Sequence, residues 1–140
     1  MTEKSNKKTK AKAKEKDPRE IDVEISFLEG LVRRDPAYVE ALQILGDDYT
    51  ERGRIEEGLQ VDQKLSQLEP QNPLVFYNLA CSLSLAGKLD EAAQAVETAL
   101  DLGYRDFKWL ARDPDLKALR KHAHYARLRE KIRRMDIDPE

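Results

Sequence analysis

The chain has 140 residues, 40% of them hydrophobic and 37% charged, with only 6% aromatic. That length is one domain's worth with a modest core, and the charge content stands well above the roughly one quarter usual in globular domains. Cys81 is the only cysteine, which excludes an internal disulfide and a multi-cysteine metal site. No stretch approaches the roughly 20 apolar residues that span a bilayer, and the charged start lacks the apolar segment of a secretory signal. These features predict a soluble, cytoplasmic protein with no membrane insertion. The net charge of −2 hides a pattern. Residues 1–19 carry eight basic residues against three acids, residues 20–110 eight against eighteen, and residues 111–140 nine against six. An acidic body sits between two basic ends.

Residues 1–17, MTEKSNKKTKAKAKEKD, offer no large apolar side chain beyond the first methionine. Such a segment buries too little surface to offset its ordering entropy, which predicts a disordered tail. Pro18 suits the first turn of a helix, where its missing N–H is not needed. The body then repeats itself. Pro36 and Pro70 lie 34 residues apart, as do Gly53 and Gly87, Leu45 and Leu79, Gly46 and Ala80, and Glu57 and Glu91. Several matches in chemical type at one offset amount to an internal repeat.

Each repeat reads as two helices. Val39 to Glu51 sets Leu42, Leu45, Gly46 and Tyr49 on one face at helical spacing. Gly53 stops it, and a second helix from about Ile55 to Leu68 turns Leu59, Leu65 and Leu68 inward. Glu56 and Glu57 fall in its first turn, facing the positive end of the macrodipole. The second copy follows with Phe76, Leu79, Ala80 and Leu83, a stop at Gly87, and then Ala92, Val96, Ala99 and Leu100. The small pairs Gly46/Ala80 and Gly58/Ala92 predict close helix crossings. Phe107, Trp109 and Leu110 form an apolar cluster out of repeat register. Asp113-Pro114 then provides an N-cap and first-turn proline for a new helical segment, whose stripe is Leu116, Leu119, Leu128 and Ile132. A break near Lys121–His122 would split it, so one helix and two helices both remain open.

Leu42-x-x-Leu45-Gly46-x-x-Tyr49, then Gly53, Gly58 and Pro70, resembles the tetratricopeptide repeat, and Phe76 to Ala80, Gly87 to Ala92 and Ala99-Leu100 follow that pattern more closely. The resemblance implies an all-α superhelix of about two and a half repeats. Residues 18–36 look like a half repeat, with Ile25, Leu28 and Leu31 inward, followed by full repeats at 39–72 and 73–106. Residues 107–135 resemble a terminal capping segment, and 136–140 are expected to be a disordered end. Two departures stand out. Asp62 occupies a place where the family carries a large apolar residue, which predicts loose packing there, and Gly103-Tyr104 replaces the closing proline of the second repeat.

The chemistry of catalysis is missing from the pattern. No glycine-rich phosphate loop, nucleophile elbow or zinc-protease signature occurs, and the acidic pairs Asp47-Asp48 and Glu56-Glu57 are what exposed helices carry. His122 and His124, if helical, would point about 200° apart and share no metal. The sequence therefore predicts neither an enzyme nor a cofactor or metal site, and reads Cys81 as a small semi-buried side chain. The resemblance implies instead a protein-interaction module, a scaffold or adaptor holding another protein or peptide in the concave groove of the stack. Its groove positions map onto Glu40, Gln43, Asp47, Thr50 and Glu51 in one repeat and Leu74, Tyr77, Cys81, Ser84 and Leu85 in the next. Of the positions that hold a C-terminal carboxylate in some family members only Asn78 is matched, and the basic partners are lacking. Two other classes compete. A nucleic-acid-associated protein would use the tail lysines and Arg127 to Arg134, but the acidic body and the lack of interleaved aromatics argue against it. A secretion or assembly chaperone fits the size alone.

Overall fold

The computed structural model describes residues 16–137, which form eight α-helices and no strand. The first is α1 (Pro18–Arg34), followed by α2 (Val39–Glu51), α3 (Ile55–Leu68), α4 (Pro73–Leu85) and α5 (Leu89–Leu102). A shorter set closes the fold: α6 (Phe107–Leu110), a 3-10 turn (Pro114–Leu116), α7 (Lys117–Arg120) and α8 (Tyr125–Ile137). Consecutive long helices pack antiparallel, α1 on α2 through to α4 on α5, as a helical repeat array does.

Local chemistry sets the boundaries. Three helical starts use the same device, an Asp or Asn followed by proline. Asp17 accepts from Arg19 N at 2.9 Å, Asn72 from Leu74 N at 3.0 Å and Asp113 from Asp115 N at 3.0 Å, each satisfying a donor that the first turn leaves without a partner. Gly53 and Gly87, 34 residues apart, take φ of 79° and 80° and turn the chain from α2 to α3 and from α4 to α5. That left-handed conformation costs a side-chain-bearing residue energy that glycine escapes.

The core runs through the stack in two adjoining clusters. Ile21, Ile25, Leu42, Leu45, Tyr49 and Leu65 belong to the first, and Tyr77, Val96, Leu100, Leu110, Leu116 and Leu119 to the second. The expected crossings of small residues are present. A Cβ on Gly46 would sit 3.2 Å from Asp62 Oδ1 and from Val61 Cγ1, and one on Gly58 would sit 2.8 Å from Thr50 Oγ1 and 3.4 Å from the Gly46 carbonyl oxygen. Ala80 and Ala92 are fully buried. Gly30 differs, because a Cβ there meets only Arg33 Nη2, at 3.8 Å. Gly30→Ala is therefore expected to stabilise by about 0.5–1 kcal/mol through helix propensity. Gly58→Ala should instead cost about 1–2 kcal/mol, since Thr50 has to move and release its hydrogen bond to Gly46 O. Urea midpoints that shift in the same direction for both variants would show that Gly58 does not set the helix spacing.

Asp62 corrects one expectation. It is buried between α3 and α4, where Ser82 Oγ donates to its Oδ2 at 2.5 Å. A short side-chain hydrogen bond across the helix pair replaces the apolar contact, so the site is closed instead of loose.

The C-terminal segment breaks at residues 121–124, so α7 and α8 are separate helices. His122 and His124 lie in that turn with ring centroids 5.0 Å apart, and the helical premise that kept them from a common ligand does not hold. Helix α8 continues to Ile137, two residues into the expected end, while residues 138–140 lie outside the described residues. So do residues 1–15 of the expected tail; of its last two residues, Asp17 caps α1 and Lys16 Nζ lies 2.9 Å from Glu24 Oε1. No described helix is long and apolar enough to cross a membrane.

Candidate functional site

Helices α2 and α4 open the two expected repeats, and the ten expected groove residues sit on them in two contrasting states. On α2, Glu40, Gln43 and Glu51 are exposed, and Asp47 and Thr50 are half-buried. Thr50 turns its hydroxyl back to Gly46 O at 3.1 Å. Ile44, which the sequence reading passed over, is 45% exposed. Glu40, Ile44, Asp47 and Glu51 follow one another at helical spacings of four, three and four residues, so they form one solvent-facing stripe, acidic with an apolar centre.

On α4 the corresponding surface is occupied. Leu74 is half-buried against the core and Leu85 partly exposed, but Tyr77, Cys81 and Ser84 are buried. What covers this face is the chain's own C-terminal segment, since the 3-10 turn and α7 both pack on α4. Tyr77 Oη donates to Asp113 Oδ2 at 2.6 Å, and Cys81 Sγ lies 3.6 Å from the same oxygen. The Tyr77 ring stacks on Tyr104, with centroids 4.4 Å apart and planes 8° from parallel. Burial, reinforced by Cys81, Tyr104 and Asp113, pushes the Tyr77 phenol far above its ordinary range. Arg120 Nη1 fastens the turn from behind by donating to Leu110 O at 3.1 Å and Asp113 O at 2.9 Å. Trp109 and Leu110 are buried in the same segment. Tyr77 therefore belongs to an internal aromatic and carboxylate cluster, where sequence reasoning expected a partner's anchor.

No protein-family model matches the chain. Over 79 residues, 54% of its length, it is 34% identical to a chloroplastic protein of Arabidopsis thaliana. The matched stretch is 24% of that relative, so this chain spans under a quarter of the protein it resembles.

Three residues at these two faces escaped the sequence reading: Ile44 on α2, and Tyr104 and Asp113 against α4. Asp113 was legible only as a helix cap, because its pairing with Tyr77 spans 36 residues. Tyr104 carried a signal, an aromatic in place of the repeat's closing proline. The basic C-terminal helix, the other candidate surface, is tied to acids of the body through Arg127 and Lys131 and to its own Glu130 through Arg133. Lys131 Nζ reaches Asp101 Oδ1 at 2.8 Å and Glu97 Oε2 at 3.2 Å, Arg127 Nη2 lies 3.6 Å from Glu97 Oε1, and Arg133 Nη2 pairs with Glu130 Oε2 at 2.6 Å. These pairs lie at the surface and are weak one by one; those of Arg127 and Lys131 join α8 to α5, and that of Arg133 stays within α8.

Proposed function

We propose that the chain is a tetratricopeptide-type interaction module that works by binding, not catalysis, and that it receives another polypeptide along the α2 stripe. The observation that carries the reading is the contrast between the two halves of the groove. The α4 half is filled by the chain's own cap, while Glu40, Ile44, Asp47 and Glu51 remain at the surface. The 34-residue offset and antiparallel helix pairs support the repeat class, and the partial similarity to the Arabidopsis chloroplast protein agrees with it. A segment with an apolar anchor between Lys or Arg residues matches the stripe. The anchor covers Ile44 and the cations face the carboxylates, so the apolar centre sets residence time and the acidic rim sets association rate and salt dependence. This arrangement needs no displacement of the cap.

The test is affinity capture from native lysate with the wild-type chain and with an Ile44→Asp, Asp47→Lys double variant. Ile44 is exposed and Asp47 half-buried on α2, and circular dichroism checks that the double variant keeps the helical fold. The retained polypeptides should be lost from the variant and should elute from the wild type as salt rises. Retention of the same polypeptides by both would move binding away from α2.

A further inference from the structure

We propose that Asp90, His122 and His124 form a binding site for one borderline divalent transition-metal ion, of the zinc, cobalt or nickel kind, that fastens the turn before α8 to the first turn of α5. The three side chains come from two separate parts of the fold, and their ligand atoms lie within 4.8 Å of one another. Nε2 of His122 and Nε2 of His124 each stand 3.5 Å from the same oxygen, Asp90 Oδ1. That separation is long for a direct hydrogen bond. It is close to the roughly 3.4 Å between two ligand atoms each about 2.0–2.1 Å from one tetrahedral ion. Two imidazoles and a carboxylate are the donor set that zinc and its neighbours take up, and too nitrogen-rich for calcium or magnesium.

The fold makes the site possible at a place where a helix would forbid it. Residues 121–124 leave the helical path between α7 and α8, so two histidines separated by one residue aim at a common point. Asp90 is 75% exposed in its side chain and His124 48%, so the remaining coordination positions open to water. A cleft of about 420 Å³, lined also by Lys88 and Glu91, lies beside them. Binding through Nε2 places the His122 ring proton on Nδ1, so the 3.2 Å contact from His124 N to His122 Nδ1 gives way when the ion enters. The contact is long and the turn is at the surface, so only a small rearrangement is involved.

A second group, Cys81, Asp113 and Asp115, also brings ligand atoms within 4.8 Å. There Cys81 and Asp113 are buried, and Asp113 already accepts from Tyr77. It serves as the internal control.

The experiment is calorimetric titration of the untagged full chain with Zn²⁺ and with Co²⁺, together with the thermal midpoint with and without the ion. Wild type should take up one equivalent and unfold at a higher temperature when loaded, and Cys81→Ser should behave the same. His124→Ala and Asp90→Ala, both at exposed positions, should each weaken binding by about tenfold or more and lose the thermal shift. The proposal is overturned by absence of one-equivalent uptake at about 100 μM ion, by uptake that survives both alanine variants, or by uptake that Cys81→Ser removes.

Discussion

Tyr77→Ala is expected to destabilise the fold by about 3–5 kcal/mol, the range for deleting a fully buried aromatic side chain. The ring is 0% exposed, stacks on Tyr104, and reaches across the groove to Asp113. Removing it leaves a cavity between α4 and the cap and strips Asp113 of its shortest side-chain donor. Tyr77→Phe separates the two effects. It keeps the ring and the stack but leaves a buried carboxylate oxygen with Cys81 Sγ at 3.6 Å as its remaining side-chain donor, a loss of about 1–3 kcal/mol. Urea unfolding followed by circular dichroism measures both. If Tyr77→Ala unfolded at the wild-type midpoint, the cap would not be docked on α4 in solution, and the groove would be open along both repeats.

Why the sequence led to Tyr77 as a partner's anchor is a matter of range. Helix positions, the turns at Gly53 and Gly87 and the close crossing at Gly46 and Gly58 follow from local periodicity and from residues with restricted backbone or volume. Those features were legible because each is decided within one repeat or between adjacent helices. The fate of the α4 face is decided elsewhere, by Asp113 and Leu116, which pack on it from the far side of α5 in sequence. Asp62 shows the same limit. The repeat resemblance marks it as a defect, and only its pairing with Ser82, 20 residues away, makes it a buried hydrogen-bond acceptor. His122 and His124 were separated by an assumed helix that the structure interrupts.

The filled α4 face and the α2 stripe also bear on the specificity of the proposed binding. A groove open along both repeats would hold a long extended segment, whereas four residues on one helix span about 17 Å from Glu40 to Glu51 at 1.5 Å per residue. A short motif with one apolar anchor fits that length. On the proposed reading the cap thereby limits the size of the bound segment, as well as closing the core.

Asp48→Asn is expected to stabilise the protein by roughly 2–3 kcal/mol near pH 8 and to have little effect near pH 4. Asp48 is 2% exposed at the contact of α1 with α2. Burial, then the neighbouring Glu24 carboxyl, pushes its own carboxyl from 3.8 up to about 7. Glu24 is correspondingly held below its ordinary range by the hydrogen bond from Asp48 and by Lys16. The folded protein thus keeps on Asp48 a proton that the unfolded chain releases near pH 4, so the stability contribution is whole below that pH and falls as pH rises towards about 7, with no further change above. A carboxyl raised from 3.8 to about 7 corresponds to roughly 4 kcal/mol at most. Glu24 and Lys16 are partly exposed, with side-chain exposures of 38% and 46%, so solvent screening reduces it. An asparagine keeps a donor for Glu24 without a charge to bury. Because other groups titrate as well, the quantity to follow is the difference between variant and wild type in urea unfolding free energy. That difference should grow between about pH 4 and about pH 7 and then level off. A difference that stays constant across the range would mean that Asp48 is already ionised in the folded protein at the acidic end, and that Lys16, 3.9 Å from its Oδ1, neutralises it there.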